Sequence, residues 1–226
     1  MRTPQARLRL GECDVLLVGT VPGFTLDGER VEQAFEAFLP DCVALGVPSE
    51  DLAVLDRLAK ADPKPELPMP DDATARLLEL LEQFGPTAVP SPDLERATAL
   101  ARVQGIPVEA IDLGDHDHAA LYTKHVKFRH VVQSNSIKRR LLKDGVEGPD
   151  AYALSDAWDA AWTRPKGLRE VEVARELHMA ERLRSLALRH GRILAVVPAP
   201  RLPGIVAALR PTSAETRPIT SASSQA

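Results

Sequence analysis

The chain has 226 residues, 44% of them hydrophobic, and a formal net charge of -4, enough apolar material for one sizeable domain with its own core. Two cysteines, Cys13 and Cys42, exclude a disulfide framework and lack the neighbouring Cys/His spacing of a zinc site, so a reducing, cytoplasmic setting is expected. Prolines and charges interrupt every apolar run before the about 18 residues a spanning helix needs. The stretch Met1 to Leu10 carries arginines but no apolar core of signal-peptide length.

In chain order, Cys13 to Val18 is a short apolar run bounded by Gly11 and by Gly19-Thr20, the pattern of a strand buried on both faces of a parallel sheet. Val31, Ala34, Phe35 and Phe38 then recur at helical spacing among Glu29, Arg30, Glu32 and Glu36, predicting an amphipathic helix that Pro40 ends. Cys42 to Val47 repeats the apolar run, so strand, helix and strand make a βαβ unit. Ser49 opens a further helix to about Ala61, and Asp62 to Asp72, with four prolines, reads as an extended surface connection. Helices over Ala73 to Phe84 and Ser91 to Gln104 precede a third strand, Pro107 to Ile111.

Beyond Gly114 the periodicity is helical as far as His190, broken at Gly145 to Pro149 and at Pro165 to Gly167. Arg192 to Val197 returns as a strand, and Leu202 to Leu209 as a closing helix. Thr212 to Ala226 is rich in Ser, Thr and Ala and reads as a frayed tail. The expectation is a three-layer α/β fold with a mainly parallel central sheet and a helical insertion over about 114–190, as a single domain over 1–210 with a flexible tail over 211–226.

Four segments in order carry a family resemblance. They are Val15 to Thr20, with its strand and Gly-Thr turn; Pro40 to Leu45, a Pro-Asp followed by an apolar strand; Arg175 to Glu181, a charged helix containing Met179-Ala180; and Ile193 to Ile205, a strand followed by Arg201-Leu202-Pro203-Gly204. Together they resemble the TraB family, which includes the pheromone-shutdown proteins and is distantly related to the Tiki metalloproteases. The resemblance implies a ligand cleft at the strand ends, and its departures imply a loss of catalysis. Pro22 stands where the family's opening turn has a histidine, Gly46 where its second strand ends in glutamate, Ala174 where its helix has a leading glutamate, and Arg201 where its final turn has a second histidine. Proline, glycine and alanine neither bind a divalent metal nor move a proton, and arginine stays protonated and repels a cation.

This points to a catalytically silent ligand-binding or regulatory protein, with no cofactor and an enzyme assignment leaning to no. The cleft candidates are Gly19, Thr20, Arg175, Glu176, Arg201 and Gly204, with Arg175 and Arg201 poised to clamp a small anionic ligand or a protein partner. The alternative is a divergent metal-dependent hydrolase that uses Asp115, His116, Asp117 and His118 together with Arg175, Glu176 and Arg201; an Asp-rich helix start is the simpler account of that cluster. A further alternative is a polyanion- or nucleic-acid-binding module. Lys124, Lys127, Arg129, Lys138, Arg139, Arg140 and Lys143 lie on a basic helix over 119–143 without an acid among them, giving +7 there and -11 elsewhere. Trp158 and Trp162, four apart, form an apolar helical stripe that suits the core or, failing that, a homodimer contact.

Overall fold

The computed structural model describes residues 4–60 and 70–210. The proline-rich connection before Pro70 and the Ser/Thr/Ala-rich tail lie outside the described residues. Five strands form one sheet in the order β1-β2-β5-β3-β4, where β1 is Gln5–Leu10, β2 Cys13–Thr20, β3 Cys42–Leu45, β4 Val108–Ala110 and β5 Arg192–Pro198. All neighbours except β1 and β2 run parallel. The last strand among the described residues therefore sits in the middle, between β2 and β3.

The first strand is one that the sequence reading passed over. Ala6, Leu8 and Leu10 alternate with Arg7 and Arg9, and the period of two turns the apolar set onto the core while the arginines face out. Gly11, at φ +60°, makes the turn into β2, and Leu10 then pairs with Cys13. Arg7 bonds Asp14 across the hairpin at 2.8 Å.

Both faces of the parallel strands are covered, which is why their sequences read as near-continuous apolar runs. On one face Cys13, Val15, Leu17, Cys42, Ala44, Ile193, Ala195 and Val197 meet α8 (Lys166–Ala187) and α9 (Leu202–Leu209) through Met179, Leu183, Leu186, Ile205 and Leu209. On the other, Val18, Val43, Leu45, Leu194 and Val196 meet α1 (Thr25–Phe38), α2 (Ser49–Lys60) and α4 (Pro92–Gln104) through Val31, Phe35, Phe38, Leu55, Ala97 and Ala101. The fold is a three-layer α/β sandwich.

A helical cap sits at the carboxyl ends of the strands. It comprises α3 (Asp72–Leu81), α6 (Phe128–Asp144) and α7 (Ala151–Trp162), which share a small core of Ala73, Leu141 and Trp158 with Leu77, Ile137 and Trp162 packed on it. Trp158 is thus a core residue, and Trp162 packs at the edge of that core, partly buried. The expected basic helix over 119–143 is corrected by a break: α5 (Asp115–His125) ends at Val126, whose extended backbone separates it from α6. No glycine or proline marks that break. Its partner is Gly167 of α8, which lies so close to the His125 carbonyl oxygen and the His130 ring that a Cβ there would overlap both.

Candidate functional site

The loop after β2 is set by two buried carboxylates. Asp27 accepts from the Val21 amide at 2.7 Å, from the Tyr152 hydroxyl at 2.5 Å and from Arg30 Nη1 at 2.8 Å. Asp93 accepts from Thr20 Oγ1 at 2.5 Å and from the Ser91 hydroxyl, while Ser91 Oγ itself accepts from the Gly23 amide at 2.7 Å. Burial pushes the Asp93 carboxyl up; its hydrogen bonds from Ser91 and Thr20 oppose that, and the Asp27 charge adds to it. Between these anchors the chain presents Pro22 to a cleft of about 310 Å³.

That cleft lies where β2 and β5 end and where the cap begins, the crevice in which parallel sheets place ligands. Its walls include Pro22, Pro198 and Pro200 from the strand ends, Asp71, Thr74 and Leu77 from α3 and its cap, and Trp158, Asp159 and Trp162 from α7. Glu172 and Arg175 of α8 and Arg201 of the 3-10 turn after β5 complete it. The volume is at the lower end of the range of about 300–1,000 Å³ typical of small-ligand sites.

The two arginines are bound to the protein's own carboxylates. Arg175 donates from Nε to Asp112 Oδ1 at 3.2 Å, from Nη2 to Asp112 Oδ2, and from Nη1 to Glu172 Oε2 at 2.7 Å. Arg201, with a side chain only 8% exposed, donates from Nη1 to Glu176 Oε1 at 3.1 Å and from Nη2 to Asp159, and Glu172 lies 3.5 Å from Nη1. Glu172 therefore bridges both guanidiniums. Burial pulls the Arg175 guanidinium down, but its hydrogen bonds to Asp112 and the charge of Glu172 outweigh that, leaving it firmly protonated. Glu176 is held above the usual carboxylate range by burial, with Arg201 opposing and Glu172 and Asp159 reinforcing.

Arg175 and Arg201, expected to clamp an anion, each pair with the protein's own carboxylates. Their donors already serve Asp112, Glu172, Glu176 and Asp159, and with Asp71 in the wall carboxylates outnumber guanidiniums around the cleft. An added anion would meet this excess of carboxylates around the guanidiniums.

Among the other candidates, Gly19 packs against Ala199 Cα and Leu202, and Thr20 is turned inward onto Asp93; neither lines the cleft. Glu176 and Gly204 lie one step behind it, the carboxylate resting on the glycine. Gly46 is jammed against Pro198 Cδ at 3.1 Å and Val197 Cα at 3.2 Å from where a Cβ would stand, so no longer side chain fits without movement. Ala174 does not line the cleft. His116 is on the exposed start of α5, its ring 3.3 Å from Asp117, and no group of three metal-ligating side chains occurs among the described residues.

Sequence reasoning missed the tryptophan wall and the partners Asp112 and Asp159, which join Arg175 and Arg201 from 63 and 42 residues away. Glu172 was findable, since it precedes Arg175 by three residues and Glu176 by four on one helix face. The fold and the cleft together define an α/β protein with a ligand-sized crevice at the carboxyl edge of its sheet. No family model matches the chain, and no curated protein matches it.

Proposed function

We propose that the protein is a catalytically silent, TraB-like ligand-binding protein whose cleft takes a small molecule with a positively charged end. The observation that carries this is the charge balance of the cleft: two arginines each paired with the protein's own carboxylates, set among more carboxylates than they neutralise. An ammonium or guanidinium group finds unused carboxylate lone pairs at Asp159 and Glu172 and the indole rings of Trp158 and Trp162, which attract a cation through their faces. The TraB-like segments support the same location, because β2 and β5 end at this cleft and α8 forms its floor. Silence follows from what stands at the strand ends: Pro22 contributes no proton-moving group, and Arg201 is a fixed cation committed to structure.

Both tryptophans of the chain wall the cleft, so intrinsic fluorescence reports its occupancy. Cadaverine, glutarate and 1,5-pentanediol share a chain length and differ in charge. Saturable quenching or enhancement by cadaverine, lost in Trp162→Ala and weakened in Glu172→Gln, is expected. Saturation by glutarate instead would keep the binding site and reverse its charge preference, and no saturation by any of the probes would overturn the ligand-binding reading. Turnover of fluorogenic peptides on addition of manganese or zinc would overturn the silence.

A further inference from the structure

The face of α6 that points away from the cleft raises a separate question. Two adjacent stripes at helical spacing, Phe128, Val132, Asn135, Arg139 and Lys143 beside Arg129, Gln133, Ser136 and Arg140, are exposed at every position. Phe128 is 82% exposed and Val132 55%, in a chain that buries most of its large apolar side chains. Lys124 and Lys127 flank the start of the helix from the α5–α6 corner, also exposed. Over its 17 residues α6 is about 25 Å long.

Most of the charge on this face is unneutralised. Elsewhere Arg7, Arg30, Arg96, Arg102, Arg175 and Arg201 all pair with carboxylates. Here Lys124, Lys127, Arg129, Arg139 and Lys143 make no ion pair within 4.0 Å among the described residues, and Arg140 reaches only the exposed Asp144 at 3.8 Å. A chain of net charge -4 thus concentrates free positive charge on one helix and leaves an aromatic ring uncovered beside it.

We propose that this face of α6, with the α5–α6 corner, binds single-stranded nucleic acid. Lysine, arginine, asparagine, glutamine and serine side chains are the groups that contact phosphate oxygens, and here they alternate along the helix without an intervening acid. Phe128 provides a platform on which an unpaired base stacks, a contact that every base can make. A bilayer fits less well: a helix lying in a membrane surface presents apolar side chains along its whole length, whereas those exposed on α6 stop at Val132 and give way to Gln133, Asn135 and Ser136. A duplex keeps its bases stacked and leaves Phe128 without a partner.

The experiment is fluorescence anisotropy of the full chain with a labelled oligothymidylate, the same sequence annealed as duplex, and phosphatidylserine vesicles. Saturable binding to the single strand is expected, weakening by tenfold or more as salt rises from roughly 50 to 200 mM. Phe128→Ala should weaken binding by roughly fivefold or more and leave the salt slope unchanged, because stacking carries no counterion release. An Arg139→Ala, Arg140→Ala, Lys143→Ala triple variant should lower that slope. All four substitutions are at exposed positions, so unchanged melting temperatures will separate loss of binding from loss of fold. Absence of binding, equal affinity for the duplex, binding to vesicles alone, or indifference to the triple substitution would each overturn the assignment.

Discussion

The Glu176 carboxylate rests against the bare Cα of Gly204, in the first turn of α9, and from there accepts the Arg201 Nη1 hydrogen bond at 3.1 Å. The glycine is there for space, since any Cβ would overlap the carboxylate. The position also places negative charge at the positive end of a helix, which offsets part of the cost of burying it.

Gly204→Ala must therefore push Glu176 off its seat and loosen Arg201. A loss of about 1–3 kcal/mol is expected from the forced repacking, read by urea denaturation. Combining it with Glu176→Ala removes the overlap, so the double variant should lose less than the sum of the single losses. Strict additivity would mean that the two residues do not meet in the folded protein.

Asp93 gives a pH dependence with a definite sign. Burial raises its folded carboxyl above the ordinary range, so the folded state holds this proton after the unfolded chain has released it. The stabilisation is complete below the ordinary carboxylate range, near about pH 4, and declines as pH rises through the raised folded value. Asp93→Asn keeps an acceptor for Thr20 or Ser91 and removes the titration. The stability of wild type relative to this variant should fall as pH rises above about 4 in parallel urea titrations. A difference that stays flat, or rises, would place the carboxylate in a charged state throughout.

How much of this was readable in the sequence depended on whether the cause was local. The strands β2, β3 and β5 were legible because burial on both faces makes a parallel strand a short apolar run, and α4 announced itself with Pro92 at its start and Gly105, at φ +66°, at its end. The edge strand β1 was hidden by Arg7 and Arg9, which look like a basic leader unless the alternation with Ala6, Leu8 and Leu10 is counted. The break between α5 and α6 carries no glycine or proline to announce it; the Lys127 amide caps α6 on the His130 ring, and Gly167 of α8 packs against the same corner. The site follows the same division. Arg175 and Arg201 were named from sequence, but their distant partners Asp159 and Asp112 come from α7 and from the loop after β4.

The thiols should be inert in the folded protein. Cys42 faces the α8 layer, and burial first, then the charges of Glu109 and Asp41, push its thiol up to about 12. Burial and Asp41 raise Cys13 in the same way. Since the thiolate is the reactive form, Ellman's reagent near pH 8 should label neither until the chain unfolds, with the rate rising steeply in urea. Rapid stoichiometric labelling of the native protein would show that the sheet opens on the side of α8.

The two tryptophans are expected to divide structural and ligand-binding roles within one helix. Trp158, 8% exposed, fills the small core between α3, α6 and α7, whereas Trp162 lies at its edge and is only partly buried. Trp158→Ala should cost about 3–5 kcal/mol, a loss that removes the wall of the cleft by loosening the cap itself. Trp162→Ala should cost less in urea titrations and yet abolish the fluorescence response to cadaverine, since Trp158 alone then faces the ligand from a position set by packing. Equal stability losses in the two variants would make both residues core and leave the cleft without a dedicated aromatic wall. A smaller loss at Trp162 with ligand response intact would place the charged end of the ligand on Asp159 and Glu172 without help from the indole.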